Sequence, residues 1–250
     1  MGPELEGKVA LVTGASKGIG KAIAAAYAAA GAAVMLSSRK LDALDATAEA
    51  IRRDVPDAQL ATFAANAGEE DQAEACVAAT IERLGALDVL VNNAATNPWH
   101  GATIDIDLPA WDKTFRVNLR GAFAWTQCAW RAWMAEHGGR VIYVSSVGGI
   151  SPAGDIGTYD VTKAGMIHLA KVLGAELAPG VTVNCIAPGL VKTDFARALW
   201  EPLGEDGAAQ LVQPEDIAAA AVFLASPGAA QITGHTLVVD GGSLVQRIIL

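Results

Sequence analysis

Residues 9–20 read VALVTGASKGIG, five apolar or β-branched residues followed by a turn with glycines at positions 14, 18 and 20. A short apolar run bounded by turn residues predicts a strand buried on both faces. The glycines allow backbone angles that side chains resist, and they leave bare amides against which a pyrophosphate can lie. The Ala-rich stretch 18–30 predicts a helix lying close to the sheet, with its N-terminus aimed at that anion. The spacing is GxxxGxG rather than the GxGxxG of the common dinucleotide fingerprint.

Outward from this unit the pattern repeats. Apolar runs recur at 33–37 (AVMLS), 60–65 (LATFAA), 87–93 (LDVLVNN), 139–146 (GRVIYVSS), 181–188 (VTVNCIAP) and 235–242 (HTLVVDGG). Between them lie stretches of helical length at 40–53, 69–84, 112–137, 159–178 and 214–225. Strands alternating with helices predict an α/β chain with one parallel sheet, because each parallel crossover returns through a right-handed helical connection. The expected architecture is a single-domain Rossmann fold over 1–250, a doubly wound seven-stranded sheet with helices on both faces. Its cofactor-binding half runs to about residue 145 and its catalytic part from 146 onward. The segment 189–213 has no clear periodicity and is expected to form a flap over a site.

Composition narrows the function classes. Hydrophobic residues make up 52% of the 250, and charged residues 18%, which fits an ordered globular chain. A formal net charge of −9 argues against a broad basic surface for nucleic acid or anionic lipid. Cys76, Cys128 and Cys185 are odd in number and far apart, as expected of reduced thiols in the cytoplasm. No run is long enough for a membrane span, the N-terminus lacks a signal-peptide pattern, and the ending Arg247-Ile248-Ile249-Leu250 is not an SKL-type address. His100, His137, His168 and His235 are scattered, and no metal site is expected.

The end of the second strand bears on which dinucleotide fits. An NAD-preferring site places a carboxylate there to bind the ribose 2′-hydroxyl. Here stand Ser37, Ser38, Arg39 and Lys40, with two hydroxyls and a guanidinium suited to a 2′-phosphate, and Lys17 in the glycine turn as a second charge. NADP(H) is therefore favoured over NAD(H).

The fifth strand ends in Ser145-Ser146, and GTYDVTKAG at 157–165 opens the helix after it. Tyr159 and Lys163 are four residues apart and share one helical face, at the carboxyl edge of the sheet where ligands bind. A neighbouring ammonium is expected to lower the phenol pKa from its usual 10 or so, letting Tyr159 exchange a proton while a serine hydroxyl holds the substrate oxygen.

With these pieces in place, the chain closely resembles the short-chain dehydrogenase/reductase family over essentially its whole length. The marks are TGASKGIG at 13–20, NNAA at 92–95, Asn118 in RVNLRG, SSVGG at 145–149, YDVTK at 159–163 and PGLVKT at 188–193. The resemblance implies a catalytic set of Asn118, Ser146, Tyr159 and Lys163. The serine thirteen residues before the tyrosine selects Ser146 over Ser145, and Asn118 maintains a water-linked proton relay from Lys163. It also implies cofactor contacts from Gly14, Ser16, Lys17, Gly18, Ile19 and Gly20 in the turn, and from Ser38 and Arg39. Asn66 and Ala67 would meet the adenine side, and Asn93 and Ala94 the ribose. Tyr159 and Lys163 would lie at the nicotinamide ribose, and Pro188, Gly189, Val191 and Thr193 at the carboxamide. Two departures from the family pattern are NNAA for the commoner NNAG, and Asn66-Ala67 where many members have Asp-Val.

SSRK at 37–40, NNAATNP at 92–98, WDKTFRVN at 111–118 and APGLVKTDFARALW at 187–200 are similar to the carbonyl and retinal reductase branch. That implies reduction of aldehydes or ketones, or oxidation of secondary alcohols, as small-molecule substrates. A 3-oxoacyl-thioester reductase shares the catalytic set and is the alternative among enzymes. A dinucleotide-binding sensor or scaffold is the alternative outside them. Trp125, Trp130 and Trp133 crowd one predicted helix and suggest a homo-oligomer interface. Trp99 and Trp200 fall on loops near the expected site, where they would wall a pocket or pack into the core.

Overall fold

The VALVT run forms β1 (Val9–Thr13), and its residues divide between the two faces of the sheet as strand geometry requires. Ala10 and Val12 join one apolar cluster, and Leu11 joins the other. The computed structural model describes residues 4–209 and 211–245, so the C-terminal address reading falls outside the described residues. After β1 come α1 (Gly18–Ala29), β2 (Ala33–Ser38), α2 (Leu41–Asp54), β3 (Leu60–Ala64), α3 (Glu70–Leu84) and β4 (Val89–Asn92). A long helical stretch follows as α4 (Leu108–Phe115), α5 (Ala122–Ala129) and α6 (Ala135–His137), joined by π-helical turns at Arg116–Gly121 and Trp130–Met134. Then come β5 (Gly139–Val144), α7 (Gly157–Glu176), β6 (Val181–Pro188), α8 (Arg197–Trp200), α9 (Gly204–Ala209), α10 (Pro214–Ala225) and β7 (Thr236–Val239).

All seven strands pair in parallel, in the order β3-β2-β1-β4-β5-β6-β7, which is the expected doubly wound α/β arrangement in one domain. The chain reverses its direction of growth between β1 and β4, and the crevice beyond their carboxyl ends is where such sheets bind ligands. One face is covered by α1 and α10, fastened where the Tyr27 hydroxyl donates to the Ala221 carbonyl at 3.0 Å. The other face is covered by α3, α5 and α7. β3 and β7, as edges, are only partly buried, whereas β1, β4 and β6 are buried along their length.

One expectation changes, and the 189–213 segment gains structure that its sequence did not show. Trp125 is 1% exposed and belongs to the core, donating from Nε1 to the Ala67 carbonyl at 3.2 Å, and Trp133 packs against the same cluster. Of that trio only Trp130 is exposed, so the tryptophans do not form a surface patch. Segment 189–213 is not irregular, since it contains the short helices α8 and α9. Its ends are joined by a bridge between Val191 and Val212 and by a 3.1 Å bond from the Lys192 amide to the Val212 carbonyl. Helices this short show no amphipathic period for the sequence to reveal.

Candidate active site

The glycine turn takes its shape from close approach. Gly14 and Gly18 have φ of 66° and 55°, a region where L side chains are strained. A Cβ on Gly20 would run into the Gly14 carbonyl and lie 2.5 Å from Asn93 Nδ2, so the first turn of α1 can press on β1 only as glycine. Lys17, the N-cap of α1, is extended and offers no side-chain cap, which leaves the helix's first amides facing outward at the switch point. Ser16 is tied to α2 through its carbonyl, which accepts from Thr47 Oγ1 at 3.0 Å, while Ile19 packs partly on the core.

Thr13 organises the neighbouring strand end, a role not apparent from its place in the strand. Its hydroxyl donates to the Val91 carbonyl at 3.2 Å and accepts from the Asn93 and Ala94 amides at 3.0 and 3.1 Å. Asn93 Nδ2 returns the contact, donating to the Thr13 carbonyl at 2.9 Å. The carboxyl ends of β1 and β4 are thereby locked together, with Asn93 and Ala94 beside the glycine turn.

At the end of β2 the two serines divide. Ser37 is 1% exposed and its hydroxyl turns toward Cys76, so it is not available to a ligand as the sequence suggested. Ser38 Oγ is buried without a hydrogen-bond partner, and Arg39 beside it is exposed with no ion pair among the described residues. Lys17 Nζ lies 4.0 Å from Asp194. The charge predicted for the adenosine end thus leans toward the 189–213 segment. Beyond β3, Asn66 Oδ1 accepts from the Gly68 amide at 3.2 Å and the Ala67 carbonyl is taken by Trp125, placing both residues at a helix junction. A glycine cradle, open helix amides and an orphaned hydroxyl at the second strand end together fit a dinucleotide.

Ser146, Tyr159 and Lys163 converge where β5 ends and α7 begins. Ser146 Oγ accepts from the Gly148 amide at 3.1 Å, which leaves its own hydrogen free, and it lies within hydrogen-bond reach of the Tyr159 phenol. Lys163 is 1% exposed, donates from Nζ to the Val144 carbonyl at 2.7 Å, and sits 5.3 Å from the centre of the Tyr159 ring. No carboxylate pairs with it among the described residues. An ammonium held this way is costly, and burial pulls its pKa down to about 8.

The phenol departs from expectation. Burial, and secondly the carboxylate of Asp160, push the Tyr159 pKa above its usual value, and the Ser146 hydroxyl only partly offsets them. The Lys163 ammonium, 5.3 Å from the ring centre, donates to the Val144 carbonyl rather than to the phenol. Tyr159 is accordingly a neutral phenol at pH 7.

Asn118 sits in the first π-helical turn, fully buried. Its Oδ1 accepts from the Thr96 amide at 2.8 Å, and Nδ2 donates to the Thr96 carbonyl at 2.9 Å and to Thr162 Oγ1 at 3.1 Å. Thr162 Oγ1 in turn donates to the Tyr159 carbonyl at 2.7 Å. Both amide hydrogens are used, so the side chain clamps the loop after β4 to α7. Three further groups support α7, a role the sequence did not reveal. Thr162 is one of them. Ser145 donates to the Lys163 carbonyl at 2.8 Å, and Asp160, 5% exposed, accepts from the Ala153 amide at 2.8 Å. Their signal in the sequence was only adjacency to SS and YxxxK.

Pro188 ends β6, and Gly189 donates to the Val239 carbonyl at 2.9 Å with the Asp240 Cα too close for a side chain. Val191 is buried, and Thr193 packs over the glycine turn, its methyl 3.3 Å from where a Gly18 Cβ would stand. Trp200 is held by a 2.7 Å bond from Nε1 to the Thr193 carbonyl, and Trp99 by a 3.3 Å bond to the Ala102 carbonyl. Both rings are partly exposed rather than core.

Comparison with known proteins agrees with this geometry. Residues 14–243 match the family model described as enoyl-(acyl carrier protein) reductase. A dehydrogenase/reductase SDR family member 4 from Sus scrofa is 39% identical over 247 residues, covering 96% of this chain and 88% of that protein. The structure of an actinorhodin polyketide ketoreductase variant with NADPH superposes with a TM-score of 0.86 at 32% identity, over 97% of this chain and 98% of that one. A 7α-hydroxysteroid dehydrogenase complexed with NADH and 7-oxo glycochenodeoxycholic acid has a TM-score of 0.88 at 30% identity, over 96% and 95%. The chain belongs to the short-chain dehydrogenase/reductase family of nicotinamide-dependent oxidoreductases.

Proposed function

We propose that the protein is an NADP(H)-dependent reductase of ketones or aldehydes, able to run in reverse on secondary alcohols. The observation that carries this reading is the buried ammonium of Lys163, without a carboxylate, 5.3 Å from the ring of a tyrosine that shares its proton environment with Ser146. Bound NADPH would supply the hydride for the carbonyl carbon. The Ser146 hydroxyl holds the carbonyl oxygen, and Tyr159 donates its proton to that oxygen as it becomes an alkoxide. The Lys163 ammonium would then stabilise the phenolate and hold the nicotinamide ribose of a bound cofactor, and a water relay at Asn118 would restore the proton.

The glycine turn with Ser16 and Ile19 would receive the pyrophosphate. Asn66, Ala67, Asn93 and Ala94 would line the adenosine side, and Pro188, Gly189, Val191 and Thr193 would hold the carboxamide. The orphaned Ser38 hydroxyl and Arg39, which has no ion pair among the described residues, support NADP, since residues 37–40 offer no carboxylate to a ribose. The segment 189–213 acts as the flap. Three free cysteines support a cytoplasmic setting. A homo-oligomer would form through the apolar groove of Phe115, Leu119, Phe123, Leu169 and Val172.

The test is NADPH and NADH oxidation across aldehydes, ketones and acetoacetyl thioesters, repeated with Tyr159→Phe and with Ser38→Asp plus Arg39→Ile. Ketone turnover lost in the tyrosine variant, and preference moved toward NADH in the double variant, are expected. Turnover of the acetoacetyl thioesters alone would favour the 3-oxoacyl-thioester reductase. Tight cofactor binding with no turnover on any substrate would favour a sensor. An unchanged cofactor ratio would overturn the NADP assignment.

A further inference from the structure

We propose that Phe195 is the specificity-determining wall of the substrate pocket and selects carbonyl compounds bearing an aryl or similarly flat apolar group. This rests on the reading of Tyr159 as the acid/base.

The Phe195 ring centre lies 6.1 Å from that of Tyr159, the planes tilted by 43°. A pair at this distance and tilt is in aromatic contact. Yet Phe195 is 53% exposed, so the contact leaves a large apolar surface open next to the phenol. An isolated exposed phenylalanine on a loop needs no explanation. This one is held in place. The turn that carries it closes with the Ala196 amide donating to the Thr193 carbonyl at 3.2 Å, and the same carbonyl accepts from Trp200 Nε1 at 2.7 Å. Thr193 rests on Gly18, and the bridge between Val191 and Val212 closes the base of the segment.

The charges of this turn are engaged elsewhere. Asp194 is bonded to Arg197 at 2.7 Å and lies 4.0 Å from Lys17, and Lys192 lies 6.0 Å from the Trp200 ring. What the turn offers beside Tyr159 is therefore an aromatic face. A substrate whose carbonyl oxygen sits at the Tyr159 and Ser146 hydroxyls places one substituent toward that face. Stacking rewards a planar apolar substituent there, whereas a carboxylate or phosphate would lose its hydration with no cation in return.

The experiment compares Phe195→Ala and Phe195→Leu with wild type on acetophenone and on butanone, at saturating NADPH, with NADPH binding measured separately by fluorescence. For Phe195→Ala the expected result is a loss in kcat/KM for acetophenone of roughly 10- to 100-fold, the range a hydrophobic pocket contact gives. It should fall mainly in KM, with butanone changed less than about threefold and cofactor binding unaltered. Leu should recover part of the acetophenone loss. An equal loss on both ketones, or a loss in kcat alone, would assign Phe195 to closing the flap and overturn the proposal, as would no loss at all. If wild type reduces neither ketone, the acid/base reading is judged separately, by whether turnover on the wider panel of aldehydes and ketones is lost in Tyr159→Phe. Acetophenone binding to the NADP⁺-loaded protein, followed by ligand-detected NMR, then decides the wall: signal lost in Phe195→Ala supports it, and equal signal refutes it.

Discussion

Replacing Thr13 with Val keeps the size of a 3% exposed side chain and removes only its hydroxyl. The hydroxyl serves three partners: it accepts from the amides of Asn93 and Ala94 at 3.0 and 3.1 Å and donates to the Val91 carbonyl at 3.2 Å. An amide left without its acceptor costs about 1–3 kcal/mol when buried. Asn93 and Ala94 are partly exposed, so the low end of that range applies to each, and the carbonyl of Val91 keeps its strand neighbours. The loss sums to about 2–3 kcal/mol. For a chain of this size it corresponds to a fall in Tm of about 4–12 °C. Because the freed amides flank the glycine turn, cofactor affinity should fall as well. Thermal unfolding at fixed protein concentration, with and without NADPH, measures both, and Thr13→Ser should recover most of each. A Val variant within about 1 °C of wild type, under the roughly 2–4 °C expected for 1 kcal/mol, and with unchanged affinity would show that the β1–β4 clamp is not a determinant of the site.

Three other outcomes follow from the same contacts. Gly20→Ala places a Cβ against the Gly14 carbonyl and Asn93 Nδ2, so the turn must move; cofactor titration should show binding weakened by about 100-fold or more while circular dichroism stays folded, and near-normal affinity would contradict the packing. Asp160→Asn keeps an acceptor for the Ala153 amide but removes the negative charge that helps raise the Tyr159 pKa. The pH profile of alcohol oxidation should then shift its rise to lower pH, and an unmoved profile would deny the electrostatic coupling. Lys163 titrates near 8 in the fold against 10.5 as an ordinary lysine, so the unfolded chain binds more protons between those values. Its burden on stability is complete below pH 8 and fades as pH rises toward 10.5. Lys163→Met should therefore be inactive yet unfold at a higher temperature than wild type at pH 7, with the gap narrowing at pH 10; a constant gap would refute the assignment.

The fold was legible because its signals are local. Apolar β-branched runs of strand length, alternating with helical stretches, permit few arrangements other than a parallel sheet, and glycines after the first strand mark the turn by a backbone requirement no other residue meets. The i, i+4 spacing of Tyr159 and Lys163 was equally local, since a helix puts both on one face whatever surrounds it. Asn118, and the choice of Ser146 over Ser145, entered only through the ordered family motifs, because nothing within either residue's own segment says what it meets.

What tertiary structure alone decided depends on groups far apart in sequence. Thr13 looks like any buried strand residue until β4 is laid beside it, and Trp125 looked like surface until α5 was packed over Ala67. The sign of the Tyr159 pKa shift could not be read from spacing either. An ammonium four residues away argues for lowering it, but burial and the Asp160 carboxylate prevail while Lys163 points at Val144. Desolvation and orientation belong to the assembled environment and not to the order of residues. Phe195 makes the same point for specificity: remote from Tyr159 along the chain, it reaches the phenol only because Thr193, Val191 and Val212 fix the turn that carries it.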